Sequence, residues 1–358
     1  MDRSHSMQDW VFREALGNYD IDLGDSNAPC ITIEQFLPVV ARTALDYGTD
    51  RGALALRNKV AALYGVDISS IGIAHGVQEA LYLLYRTLLR PGDHVITFTP
   101  GWKQAWRVPQ DIACDVSILD YNRDLKVTSN AITHALTATT RAIILNNPCN
   151  PTGKKIQPEE LTTILDIAHT RGIYVIVDEE YLVDPRESLA GRAVNIIISS
   201  GISKIHGAPG LRIGWICGDK ALIDNAMNYK HFTTISNSVL CERIALQILE
   251  EHDHRIQAYK ELCQAGFETL EQWAKNCFPM IELVPPEDTP FCWAHLTTSE
   301  SSLAFCRRVL EKERVLTMPA ELFGQRHGMR LTFARPLEEL KEGLQRIKNQ
   351  FRFPLSMY

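Results

Sequence analysis

Residues 203–215 read SKIHGAPGLRIGW, and the rest of the chain is organised around them. Lys204 follows a β-branched run, VNIIISS (194–200), and is itself followed by glycines at 207, 210 and 214 and by Arg212. A lysine at the end of a buried strand, walled by glycines that let backbone or ligand approach closely, is placed to hold a carbonyl compound as a Schiff base. Arg212 is near enough in sequence to bring a planar, bidentate guanidinium to the same ligand, and such a fork suits phosphate. Alone, Ser-Lys reads as an ordinary solvated charge. Its meaning depends on its surroundings.

Working outward, short apolar runs recur at HVITFTP (94–100), RAIILNN (141–147), IYVIVDEE (173–180), VNIIISS and RIGWICG (212–218). Helical segments such as EALYLLYRTLLR (79–90) and PEELTTILDIAHTRG (158–172), the latter opened by Pro158 and closed by Gly172, lie between several of them. Near-continuous apolar strands alternating with helices predict an α/β fold, a mostly parallel sheet covered by helices on both faces. Ligands of such sheets sit at the carboxyl ends of the strands. Upstream, Trp10, Val11, Phe12 and Leu16 mark a short helical patch, and Gly24, Asp25, Ser26, Asn27 and Pro29 are loop chemistry. DYGTDRGALALRNKVAALYGV (46–66) is a polar turn leading into an amphipathic helix with Leu54, Leu56, Val60 and Leu63.

Past about residue 219 the pattern becomes one long helix, SNSVLCERIALQILEEHDHRIQAYKELCQAGFETLEQWAKN (236–276), then a proline-rich break at VPPEDTP and strands near FCWAHL and MRLTFA. The expected division is an arm and substrate loop (1–45), a large domain (46–235) and a smaller α+β C-terminal domain (236–358). His252 and His254 lie two apart on the long helix, point to different faces and read as solvated rather than metal-binding.

Composition narrows the function. A chain of 358 residues with net charge −6 offers no basic face, which argues against nucleic acid and anionic membrane as partners. Nine cysteines without C-x-x-C or zinc spacing read as reduced thiols and no metal site, as in a cytoplasmic protein. The start, MDRSHSMQDW, is charged where a signal peptide is apolar, and no segment approaches ~18 uninterrupted apolar residues.

Four further strand ends speak to Lys204. In AHGVQEAL (74–81) a glycine opens a helix, so the free amides of Gly76, Val77 and Gln78 and the helix dipole favour a phosphate. In TPGWKQAW (99–106) Trp102 follows a Pro-Gly turn, where an indole either stacks on a planar ring or roofs the core. NNPCNPTGK (146–154) delivers a stiff loop in which Asn150 can donate to an oxygen. In VDEEY (177–181) Asp178 ends an apolar strand and needs a cationic partner, with Tyr181 three residues on.

A ring stacker, a phosphate cradle, an acid for a ring nitrogen, two donors for a ring hydroxyl and a lysine for an aldehyde are what pyridoxal phosphate requires. On D-x-x-Y followed by S-K-x-x-G-x-x-G-x-R, the chain resembles the class I/II aminotransferase family, fold type I of the pyridoxal-phosphate enzymes. Neither G-x-G-x-x-G nor a P-loop is present. The resemblance implies that Lys204 forms the Schiff base and shuttles the proton, and that Asp178 pairs with the pyridine nitrogen. It implies Tyr181 and Asn150 on the ring oxygen, Trp102 on the ring, and Arg212 with the amides of Val77 and Gln78 on the phosphate. Tyr47 would reach a partner subunit's phosphate, making a homodimer. Arg330 would clamp the substrate α-carboxylate beside Asn150 and Gly24.

Two departures stand out. Gly201 occupies the position, three before the lysine, where the family carries a phosphate-binding Ser or Thr, so Ser200 or Ser203 substitutes or the contact is lost. LGDSNAP (23–29) replaces the usual L-G-x-G-x-P of the substrate loop. Residues 7–36, HGVQEALYL (75–83) and PAELFGQRHGMRLTF (319–333) resemble the family's capreomycidine-synthase and enduracididine-forming branch, which cyclises hydroxylated arginines. Asp25, with Asp22 near it, would offer a guanidinium its carboxylate, or else simply cap a loop. An ordinary aminotransferase uses the same residues. A non-catalytic sensor would need a basic DNA-binding domain, for which the chain leaves no room.

Overall fold

The computed structural model describes residues 7–122 and 124–351. The first six residues of the charged start and the last seven of the expected C-terminal domain lie outside these. The strands are β1 (Ile21–Asp22), β2 (Ile71–Ala74), β3 (His94–Thr99), β4 (Asp115–Asp120), β5 (Thr140–Asn146), β6 (Tyr174–Asp178), β7 (Ile196–Gly201), β8 (Gly214–Cys217), β9 (Ile281–Val284), β10 (Phe291–Leu296), β11 (Val315–Leu316), β12 (Met318–Pro319) and β13 (Met329–Thr332).

The large sheet has the order β2-β8-β7-β6-β5-β3-β4. Its pairs are parallel from β4 across to β7, whereas β8 runs antiparallel to both β7 and β2. Successive side chains of a strand point to opposite faces, and here both faces are dry. In β6, Val175 and Val177 enter one apolar cluster and Ile176 the other; in β7, Ile196 and Ile198 part from Ile197 in the same way. Helix Gly76–Leu88 covers one face. Helices Leu54–Tyr64 and Pro158–Arg171 cover the other. The mostly parallel, doubly covered sheet expected from the sequence is therefore present, with β2 and the edge strand β4 as additions.

A four-stranded antiparallel sheet, β12-β13-β10-β9, forms the smaller C-terminal layer with helices Ser302–Glu313 and Leu337–Lys348. The single long helix expected after residue 236 is two, Val239–Glu250 and His252–Lys275, interrupted at Glu251. His252 is not solvated: it is buried, and its Nδ1 lies 3.2 Å from His206 Nε2. His254 is exposed. The N-terminal segment packs into the C-terminal core, because β1 pairs in parallel with β11 and the fully buried Trp10 donates Nε1–H to the Thr317 carbonyl at 3.0 Å. That contact swings the loop after β1 over the carboxyl ends of the large sheet. Among the described residues no helix is long and apolar enough to cross a membrane.

Candidate active site

A cavity of about 370 Å³ opens at those strand ends, and its wall is drawn from nearly every stretch singled out above. Gly24, Asp25, Val77, Gln78, Trp102, Asn150, Asp178, Tyr181, Ser203, Lys204, Arg212 and Arg330 all line it. The fold brings together residues as far apart in sequence as Gly24 and Arg330, 306 positions.

One end is built for an anion. Gly76 opens its helix at φ +74°, and a Cβ there would stand 2.5 Å from Arg212 Nη2. A Cβ on Gly214 would stand 2.7 Å from the Val77 amide nitrogen. Both glycines are thus required for the helix start and the guanidinium to converge. Arg212 sits at φ +53°, and its Nη1 donates to the Pro209 carbonyl at 3.0 Å. Left-handed backbone at a non-glycine residue is uncommon and concentrates where a site over-determines the chain. A Cβ on Gly201 would lie 3.0 Å from the Ile213 carbonyl, so this backbone crowds the serine or threonine that the family carries there. Ser200 donates to the Glu179 carbonyl at 3.3 Å, away from the cavity, while the buried Ser203 lines it.

The middle is built for a flat ring. Trp102 Nε1 donates to Gln78 Oε1 at 3.0 Å, which fixes the plane of the indole, and Gln104 Nε2 donates to the Gln78 carbonyl at 2.7 Å. Asp178 accepts the Glu180 amide at 3.0 Å, while its own carbonyl is held by the Asn146 side chain at 2.9 Å. Burial, then the neighbouring Glu180 carboxylate, pushes Asp178 up to about 8, and Lys204 pulls the other way. A carboxylate so placed favours a cation against it. Lys204 follows β7 in a loop whose turn depends on Gly207: at φ +64°, a Cβ there would meet the Pro29 carbonyl at 2.3 Å. The loop after β1 docks at that point, with Ala28 donating its amide to the Lys204 carbonyl at 2.9 Å.

The far end is a hydrogen-bonded row. Asn150 Nδ2 donates to Tyr181 Oη at 3.4 Å, Arg330 Nη1 to Asn150 Oδ1 at 2.6 Å and Arg330 Nη2 to the Gly24 carbonyl at 2.5 Å. The guanidinium lies over Phe291 and Phe323, 5.0 and 5.1 Å from their centroids, and among the described residues its buried Nε has no partner. Asp22 does cap its loop, since Oδ1 accepts the amides of Gly24 and Asp25 at 2.8 Å each. It also lines the cavity with Asp25, and burial followed by Asp25 pushes its carboxyl up.

Sequence reasoning did not single out Tyr19, Gln104, Asn146 or Glu180 as cavity residues. Asn146 opens the NNPCNPTGK motif, and Glu180 lies at the same-face spacing from Asp178, so both carried a usable signal. Tyr47 stands apart: it is 81% exposed and does not line the cavity, and Leu45 and Phe232 are similarly bare, at 80% and 85%.

The cradle that only glycine permits, the Arg330 Nε left without a partner among the described residues and the half-buried acid Asp178 fit the phosphate, the substrate carboxylate and the ring nitrogen of a pyridoxal-phosphate site. Comparison with known proteins agrees. The chain is 27% identical over 343 residues to an aspartate aminotransferase of Thermotoga maritima, covering 91% of this chain and 88% of that one. It is 28% identical over 285 residues to the capreomycidine synthase of Streptomyces vinaceus, covering 77% and 73%. The structure superposes on the PLP-dependent cyclase OrfR with a TM-score of 0.89, at 24% identity and 96% and 95% coverage, a likeness of fold. Residues 15–347 match the family described as aminotransferase class I and II. The chain belongs to that family, and its cofactor is pyridoxal 5'-phosphate.

Proposed function

We propose that the protein takes a hydroxylated arginine by its free α-amine and α-carboxylate, removes the α-proton, releases the hydroxyl as water and adds a guanidine nitrogen to the side chain, giving a cyclic guanidino amino acid. The observation that carries this is the pair Asp22 and Asp25 on the wall that also holds Arg330. Among the described residues of that wall the lysines and arginines are Lys204, Arg212 and Arg330. Each has a task at the amine, the phosphate or the α-carboxylate. An acidic substrate side chain would meet two carboxylates with no cation to spare, whereas a guanidinium would gain a partner.

Pyridoxal phosphate, when bound, supplies an electron sink that makes the α-proton removable. Lys204 provides the amine for the cofactor's aldehyde and moves the α-proton; Asp178 keeps the ring nitrogen protonated. Tyr181 and Asn150 would hold the ring oxygen and Trp102 would stack on the ring, with Gly24 completing the grip of Arg330. The amides of Val77 and Gln78, opened by Gly76, hold the phosphate with Ser203 and Arg212. Tyr47 serves a second copy of the chain across the bare surface around Leu45 and Phe232, making a cytoplasmic homodimer. Residues 46–235 act as the cofactor domain, between an arm (1–45) and a small domain (236–358).

An ordinary aminotransferase is the second reading, favoured by the aspartate aminotransferase relative that spans 91% of the chain. The test compares β- and γ-hydroxylated arginines with aspartate, glutamate and an aromatic amino acid, on the native protein and on Asp25→Asn. The proposal expects the hydroxyarginines to react fastest and Asp25→Asn to slow them alone, by roughly tenfold, the worth of ~1.4 kcal/mol in a charge pair. Fastest transamination of glutamate or an aromatic amino acid, unchanged in Asp25→Asn, leaves the ordinary aminotransferase standing.

A further inference from the structure

The strand that delivers Asp178 also delivers a second acid. As the chain leaves β6, Glu179 turns away from the cavity, where its carboxylate accepts the Ser188 hydroxyl at 2.5 Å and the Leu189 amide at 2.9 Å. In the turn that follows, the Glu180 amide donates to Asp178 Oδ1 at 3.0 Å, and both residues line the cavity. Glu180 shares that wall with Ser203, Lys204 and Arg212, so it stands among the groups assigned above to the cofactor's aldehyde and phosphate. The titratable groups facing it are Asp178 and Tyr181 from the exit of β6, Lys204 from the loop after β7 and Arg212 from the approach to β8.

An ionised carboxylate here would oppose a phosphate ester held by Arg212. A neutral carboxyl has a proton to donate and would add to the cradle. We propose that Glu180 is a positioning residue of the cofactor site that works as a neutral, hydrogen-donating acid, so that cofactor retention takes up a proton. Burial favours this form, pushing the carboxyl up against the opposing pull of Lys204, Ser203 and Arg212. A site that binds with uptake of a proton binds more weakly as pH rises, by up to about tenfold per pH unit above the titration of the acid. The inference rests on the assignment of Lys204, Ser203 and Arg212 to the cofactor and is independent of the substrate.

The experiment measures binding of pyridoxal 5'-phosphate to the full chain, by absorbance after equilibrium dialysis, from about pH 6 to about pH 10. Native protein is compared with Glu180→Gln, which keeps a donor but cannot ionise, and with Glu180→Ala, which has none. Pyridoxal without its phosphate is the control ligand. The proposal expects native affinity to fall with pH more steeply than that of Glu180→Gln, and the two to differ by at least roughly tenfold at the alkaline end. Glu180→Ala should bind more weakly than native at the acid end and lack the extra slope, and pyridoxal should bind native and Glu180→Gln alike. Profiles of native and Glu180→Gln that run parallel would overturn it. So would Glu180→Gln weaker than native at every pH with rescue by Glu180→Asp, which marks an ionised partner of Lys204. If Glu180→Gln does not fold, Glu180→Ala with the native slope overturns the proposal as well. A substrate other than hydroxyarginine alters none of these readings.

Discussion

Replacing Asp178 by asparagine should move stability and activity in opposite directions. The carboxyl is pushed from an ordinary 3.8 up to about 8, and each tenfold in its proton affinity is worth about 1.36 kcal/mol. Fully felt, that is on the order of 5 kcal/mol against the ionised form, but the group is half-buried and faces the cavity, so roughly half is a working value. The sign is that of an acid whose folded value is raised. Below about pH 4 it is protonated folded and unfolded and contributes nothing; from there to about pH 8 it opposes folding increasingly. Asp178→Asn should therefore stabilise the cofactor-free chain, with the gain growing across that interval in thermal unfolding. The same variant loses the anion that pairs with a protonated ring nitrogen, and ~2–3 kcal/mol lost there is roughly 10²-fold in kcat/KM. Steady-state kinetics on saturated protein reads the second effect. Near-native turnover by Asp178→Asn would remove Asp178 from the mechanism.

Three further outcomes are expected. Borohydride reduction of the yellow protein should fix the cofactor on Lys204, seen by peptide mass, and Lys204→Ala should be colourless and inactive; label on another lysine contradicts the assignment. Gly201→Ser, which inserts the family's side chain where a Cβ would lie 3.0 Å from the Ile213 carbonyl, should lower the unfolding temperature without tightening cofactor binding. Sedimentation at working concentration should find a dimer, and Tyr47→Phe should weaken cofactor retention; a competent monomer refutes the shared site.

The strands legible in the sequence were those buried on both faces. β3, β5, β6 and β7 carry long β-branched runs, and the lysine and arginine loop stands where such runs end. β2 is four residues with a glycine inside, and β4 reads DVSILD with no residue fully buried, as suits an edge strand; neither offers a continuous apolar run. The break at Glu251 lies in EEHDHR, with no glycine or proline to announce it. Lys230 reads as a surface residue yet is fully buried, its Nζ donating to the Asp50 and Ile73 carbonyls at 3.2 and 3.0 Å. Only the tertiary fold supplies those acceptors. The same holds for the docking of the N-terminal segment, where Trp10 meets Thr317 across 307 positions. The motifs could be read because each carries its chemistry locally, whereas the substrate wall is assembled from distant pieces.

The most direct test of the proposed reaction is the mass and amine content of the product formed from β- or γ-hydroxyarginine by the purified, cofactor-saturated protein. The account predicts a product that has lost one water and kept its α-amine, with a guanidine nitrogen bonded to the side chain. A ketoacid that has surrendered its amine, with no cyclic product, would contradict it.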